Sequence, residues 1–282
     1  MYNYQVRKSR LETFRKGDTS VKVIRLTLVL MGLLLVVAGH SYAANIYVMS
    51  GNDPAADAAA VATLQSYGHT TTLGVQYINF DGTQNLSGFN AVYMQVNGNW
   101  GIADMPGGGQ TSLLGFVNGG GGLVTTEWTI WQASYGNFSA LSAAFPVTPV
   151  NDWDYASPMT FSQGAPDPIL NAGLPGSFSC PLDSYSGTRT KIDAASLKPG
   201  ATGYYTDGGS LYNLVGWNYG SGKALMFSTC NGPTQVNDPE FGRLLSNSMD
   251  WAGGNPIPEP SGLLALAGGL AGLVGFMRRR RG

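Results

Sequence analysis

Charge, cysteine and histidine are all scarce in this chain of 282 residues. Charged residues make up 12% of it, about half the usual share. That excludes a coiled coil, which needs abundant Glu, Lys and Arg around its seam. It also excludes a chain kept unfolded by its own charge, since 43% of the residues are hydrophobic. The two cysteines and two histidines are dispersed, at 40, 69, 180 and 230, and form no His/Cys cluster with zinc-ligand spacing; no cofactor or metal is expected. Gly107-Gly108-Gly109 and Gly119–Gly122 have neither the Lys-Ser/Thr that follows a phosphate loop nor the G-x-G-x-x-G spacing. The 40 glycines follow no G-X-Y period, which excludes collagen, and there is no internal repeat. What is left is one globular domain with room for a core.

What charge there is lies unevenly. Residues 1–44 carry seven bases and two acids, and residues 256–282 carry four bases and one acid. The middle, 45–255, holds 5 basic and 14 acidic residues, a net charge of −9. Both basic ends flank apolar runs. Leu26–Gly39 is uncharged, follows basic residues and precedes Ser41-Tyr42-Ala43. That is the layout of a secretory leader over 1–43, cut between Ala43 and Ala44. A retained membrane anchor is the alternative, but the run is short for a bilayer core of about 30 Å. At the other end Pro258-Glu259-Pro260 precedes the apolar run Ser261–Met277 and the cluster Arg278, Arg279, Arg280 and Arg281. The run is long enough for a short transmembrane helix over 261–277, with the arginines on the cytoplasmic side.

The order triplet, apolar helix, arginine cluster resembles the PEP-CTERM sorting signal of exported bacterial proteins. The resemblance implies export through the Sec machinery, processing by an exosortase near the triplet, and association with an exopolysaccharide matrix. The chain would be anchored in the inner membrane through its C-terminal helix before processing. It would then reside in the cell envelope or extracellular matrix.

Residues 44–255 read as an α/β domain. Strands are expected at Asn45–Ser50, Thr70–Val75, Ala91–Val96 and Leu123–Trp128, and helices at Ala55–Tyr67 and Gln110–Val117. Strands separated by helices imply a mostly parallel sheet with helices on both faces. Residues 129–210 are rich in Pro, Gly, Ser and Asp and read as a loop-rich insertion with short antiparallel strands. Order returns with a hairpin-like pair, Leu211–Trp217 and Lys223–Thr229, and a last helix from Asp238 or Pro239 through Trp251. Single apolar helices are expected at each terminus. Phe89–Val96, Asn118–Gly122, Leu123–Glu127 and Gly222–Ser228, with Pro239–Trp251 leading into Ala252, together resemble class I glutamine amidotransferase-like domains, and within them the ThuA-like branch. The resemblance implies a flavodoxin-like fold. It carries over no catalytic residue, because no Cys follows the strand Leu123–Glu127 and Thr229-Cys230-Asn231-Gly232 holds no His.

Few side chains are left for chemistry. Glu127 ends a predicted strand and Asp53 follows the first one, at the edge where α/β domains place ligands. Together they could serve a hydrolase or hold a cation; alternatively Asp53 caps a helix and Glu127 bonds within a loop. Asp152-Trp153-Asp154-Tyr155 could bind Ca²⁺ or sugar, or be a solvated loop. Trp100, Trp128, Trp131, Trp153, Tyr135, Tyr155 and Tyr185 lie in or beside predicted loops. Of these Trp131 and Trp153 are the candidates for stacking on sugars, the alternative being that they pack the insertion on the sheet. His69 reads as a surface turn residue. An exported chain with two cysteines suggests a Cys180–Cys230 disulfide, closing a loop of about 50 residues and worth roughly 3–4 kcal/mol; two free buried thiols are the alternative. Nucleic acid is excluded as a partner, since a domain at −9 repels phosphate. The reading is therefore an exported, non-catalytic protein. The alternatives are a divergent hydrolase or amidotransferase-like enzyme and a carbohydrate-binding module.

Overall fold

A computed structural model describes residues 43–97, 103–183 and 188–254. The leader up to Tyr42, Trp100, Tyr185, the Pro258-Glu259-Pro260 triplet, the expected helix 261–277 and Arg278–Arg281 lie outside the described residues.

The chain begins with β1 (Asn45–Ser50), α1 (Pro54–Ser66) and β2 (Thr70–Gln76), followed by β3 (Ala91–Met94), α2 (Gly107–Asn118) and β4 (Gly122–Thr125). Asp53 starts α1 by accepting from the amides of Ala55 and Ala56 at 3.0 and 3.2 Å, with Pro54 in the first helical position. Gly68, at φ 95°, turns the chain out of that helix. Then come α3 (Trp128–Ser134), β5 (Trp153–Tyr155), β6 (Met159–Gln163), β7 (Ser177–Cys180), β8 (Thr188–Thr190) and β9 (Thr202–Thr206). The hairpin β10 (Tyr212–Tyr219) and β11 (Gly222–Phe227), the short α4 (Pro233–Val236) and α5 (Pro239–Ala252) close the domain.

Among the described residues one sheet has the order β2-β1-β3-β4-β11-β10-β9-β6-β7, and β5 pairs with β8 in a second, two-stranded sheet. The first five strands are parallel, in flavodoxin-like order, and the rest continue antiparallel. Alternate residues along each parallel strand enter different cores. Ile46, Val48, Tyr93 and Leu225 join Leu64 of α1 and Phe241, Leu244 and Met249 of α5. Tyr47, Met49, Val92 and Met226 join Leu113 and Val117 of α2 and Ile130 of α3. The sheet is thus covered on both faces, as its near-continuous apolar strands require.

The short antiparallel strands expected within 129–210 are present, and β6, β7 and β9 extend the main sheet. Two expectations change. Trp128 opens a helix instead of ending a strand. The disulfide is not formed. Cys180 is buried in the first core and Cys230 in the second, and both are free. A bridge needs Cα atoms within about 7 Å, and here the sheet stands between the two thiols.

Candidate functional site at the carboxyl ends of the strands

In an open α/β sheet the crevice for a ligand lies where the strand order reverses. Here that is between β1 and β3. The crevice is filled by the chain itself. Asp57, buried on α1, accepts from Ser50 Oγ at 2.5 Å, from the Gly51 amide at 2.9 Å and from Gln95 Nε2 at 3.1 Å. Asn97 Nδ2 continues the network to Gln95 Oε1 and to the Asn231 carbonyl, and Asn231 Nδ2 donates to Tyr93 Oη at 2.8 Å. The donors that would meet an anion at this helix N-terminus meet Asp57 instead. Sequence reasoning passed over Asp57, because a carboxylate inside an Ala-rich helix reads as a solvated position. Ser50 and Gly51 are seven and six positions before it, but Gln95, just past β3, is 38 positions away.

Asp53 and Glu127 are not brought together. Asp53 spends its carboxylate on the cap of α1, and β3 separates its strand from that of Glu127. Glu127 is fully buried. Its Oε2 accepts from Thr188 Oγ1 at 2.7 Å and from Cys230 Sγ at 3.2 Å, while Oε1 has no hydrogen-bond partner. Burial pushes its pKa up to about 8, with the Asp154 charge adding to the rise and the Thr188 and Cys230 bonds opposing it. Burial, reinforced by Glu127, also holds the Cys230 thiol well above its ordinary value. The pair is a neutral acid beside a neutral thiol, and such a thiol is a poor nucleophile.

His69 is corrected as well. It is buried, not a surface turn residue. Its Nδ1 accepts from the Ala44 amide at 3.2 Å, so Nε2 carries the proton and faces Ser246 Oγ at 2.9 Å. Burial lowers its pKa, in keeping with the neutral ring.

The aromatic residues do converge. β5 pairs with β8 so that Trp153 and Tyr155 share one face with Thr188 and Thr190, and that face lies against the start of α3. Trp131 meets Trp128 edge-on at 5.3 Å and Tyr135 at 4.6 Å. Trp128 meets Trp153 at 6.2 Å, and Trp153 meets Tyr155 at 5.3 Å. The five rings make one continuous strip. Its middle, Trp128, is buried, while Trp153 is 39%, Tyr135 66% and Tyr155 74% exposed.

Asp154 lies on the other face of β5, opposite Arg189, whose guanidinium reaches Asp154 and Asp207 at 2.9 Å each. Asp152 pairs with Lys191 at 3.1 Å. Both carboxylates of the Asp152–Tyr155 segment are thus engaged by cations, and the arrangement is not that of a Ca²⁺ site. Beside the strip an open groove of about 670 Å³ is walled by Ser134, Thr148, Asn151, Asp193 and Ser196. A second hollow, of about 440 Å³ between Phe89, Phe116 and Gly119–Gly121, lies at the opposite, amino end of the strands.

No protein-family model matches the chain, and no curated protein matches it. Solved structures do. A ThuA-like protein from Bacteroides uniformis is 12% identical with a TM-score of 0.55, covering 75% of this chain and 91% of its own. A cytoplasmic protein from Salmonella typhimurium LT2 is 13% identical with a TM-score of 0.54, covering 73% of this chain and 97% of its own. A ThuA-like protein from Parabacteroides merdae is 14% identical with a TM-score of 0.50, covering 77% and 92%. At these identities the likeness is one of architecture: the central domain has the α/β fold of ThuA-like proteins.

Proposed function

We propose that this chain is an exported, non-catalytic protein of the cell envelope or extracellular matrix that associates with exopolysaccharide through the aromatic strip Tyr135–Trp131–Trp128–Trp153–Tyr155. Export rests on the sequence of the two ends: the leader before Ala44, and the Pro-Glu-Pro triplet, apolar run and arginine cluster of 256–282. Through that tail the protein is held in the inner membrane, processed by an exosortase and passed to the matrix. The observation that carries the binding reading is the strip itself. Flat rings present apolar faces to the C–H faces of sugars, and the surrounding side chains offer hydrogen bonds to hydroxyls. Two of its outer rings are more than half exposed, although burying them would have been favourable.

The test is retention on polysaccharide. The full chain is expected to co-sediment with exopolysaccharide, and Trp131→Ala and Trp153→Ala together should weaken retention at least about tenfold. Unchanged retention in the double variant removes the basis of this reading.

A second reading, a divergent hydrolase, draws on Glu127, an acid that burial keeps protonated near neutral pH. Its difficulty is access, since Thr188 and Cys230 close over the carboxyl. Loss of a hydrolytic activity in Glu127→Ala, with retention on polysaccharide intact, would favour it.

A further inference from the structure

The charges around the aromatic strip carry the argument from polysaccharide in general to one chemical class. We infer that the strip and the groove beside it take a neutral glycan chain, not a uronate-rich or sulfated one. This rests on the polysaccharide-binding reading above.

An anionic polymer needs cations that are free to meet it. Among the described residues the basic groups nearest the strip are already engaged, and Arg189 lies on the opposite face of the β5–β8 pair. Arg189 is held between Asp154 and Asp207, and Lys191 is held by Asp152. Lys198 donates to the Ser142 carbonyl and lies over the Trp217 ring at 5.2 Å. A polymer laid on the strip and groove would meet Asp193 at the groove wall, and the surrounding domain is itself at −9. Like charge at an interface is a repulsive element that rejects a partner.

The groove suits hydroxyls. Asp193 accepts from the amide and hydroxyl of Ser196, and a carboxylate can accept several hydrogen bonds. Ser134, Thr148 and Asn151 add uncharged donors and acceptors along the groove. The groove begins on α3 at Ser134, next to Tyr135 of the strip, and runs to Asn151, two residues before Trp153. Ring stacking at the strip and neutral hydrogen bonding in the groove thus lie side by side, as a chain of several neutral sugar units requires.

The experiment uses the purified full chain in co-sedimentation and affinity electrophoresis against two panels. The neutral panel is cellulose, curdlan and mannan; the anionic panel is alginate and pectate; each is run at low and high salt. The expected result is retention on at least one neutral polymer, little changed by salt, and weakened about tenfold by Trp153→Ala and by Tyr155→Ala. Tyr155 is mostly exposed, so its variant should melt as the parent does and separates lost binding from lost folding. Tighter retention on the anionic panel, falling with salt, overturns the neutral class and leaves the polysaccharide reading standing. Retention on neither panel overturns both. Neutral retention unchanged in both variants overturns the strip as the site. A dimer in solution that Tyr155→Ala dissociates would show that the strip is covered by a second copy, and overturns it too.

Discussion

A carboxyl group taken out of water with no cation beside it keeps its proton. Glu127 is in that position: its neighbours are a hydroxyl, a thiol and, further off, the negative charge of Asp154. The consequence for stability follows from its sign. The folded pKa, near 8, lies above the unfolded value of about 4.3. Between those two values the unfolded chain releases a proton that the folded chain retains. Folding stability therefore falls as pH rises through that window and levels off above it. Asp250, raised by burial to about 6, acts in the same direction over the lower part of the window. His69 acts on the acid side, because a His with a lowered folded pKa loses stability as pH falls. Glu127→Gln removes the largest of these terms. We expect it to match the parent in urea unfolding at about pH 4 and to exceed it by a few kcal/mol at about pH 9. Equal pH profiles for parent and variant would show that Glu127 ionises in the folded state. None of this was legible in the sequence, where Glu127 is one acid at the end of a strand. The residues that shape it, Thr188 and Cys230, lie 61 and 103 positions away.

Among the elements, the parallel strands and their helices were legible because each signal is local. Asn45–Ser50 reads as an apolar strand and is one, and Asp53-Pro54 reads as a helix start and is one. α2 shows where local signals fail. Gly107-Gly108-Gly109 has poor helix propensity, and the sequence places the helix start at Gln110. The structure places it at Gly107. The cause is close packing. A Cβ on Gly109 would stand 1.7 Å from the Phe80 carbonyl oxygen, and one on Gly108 would stand 2.5 Å from that of Asp81. Glycine lets the first turn of α2 lie against the backbone after β2. Gly115, in the same helix, has nothing within 4 Å of an added Cβ. The two positions therefore give opposite results. Gly115→Ala should stabilise by roughly 0.5–1 kcal/mol through helix propensity. Gly109→Ala should destabilise by about 2 kcal/mol or more, since the backbone must move. Urea midpoints of the two variants measure both. A stabilising Gly109→Ala would show that α2 can leave Phe80 at little cost. Short antiparallel strands were expected within 129–210, but not their positions: β5 to β9 are three to five residues long, and their pairing depends on partners distant along the chain.

At the scale of the whole molecule, the proposed leader and the fold meet at one peptide bond. Ala43 is exposed, whereas Ala44 is buried and its amide donates to His69 Nδ1. The next residue, Asn45, begins β1, which is paired on one side with β2 and on the other with β3. A peptidase that cuts between Ala43 and Ala44 needs several residues on both sides in extended form. Once β1 is in the sheet those on the Ala44 side are withdrawn. Cleavage must therefore precede the insertion of β1, during or just after translocation. A cut at this bond leaves the new amino group of Ala44 where its amide now sits, still able to donate to the neutral His69 ring. The mature chain would then begin flush with the sheet, with no loose residues ahead of β1. We expect the exported protein, isolated from the producing cell, to start at Ala44 by intact mass and N-terminal sequencing. Deletion of 256–282 should leave that start unchanged while abolishing attachment to the inner membrane and later processing at the tail, because the two proposed signals lie at opposite ends of the chain. A start well upstream of Ala43 would mean that the apolar run Leu26–Gly39 is kept as an anchor. Unchanged location after deletion of 256–282 would remove the sorting role of the tail.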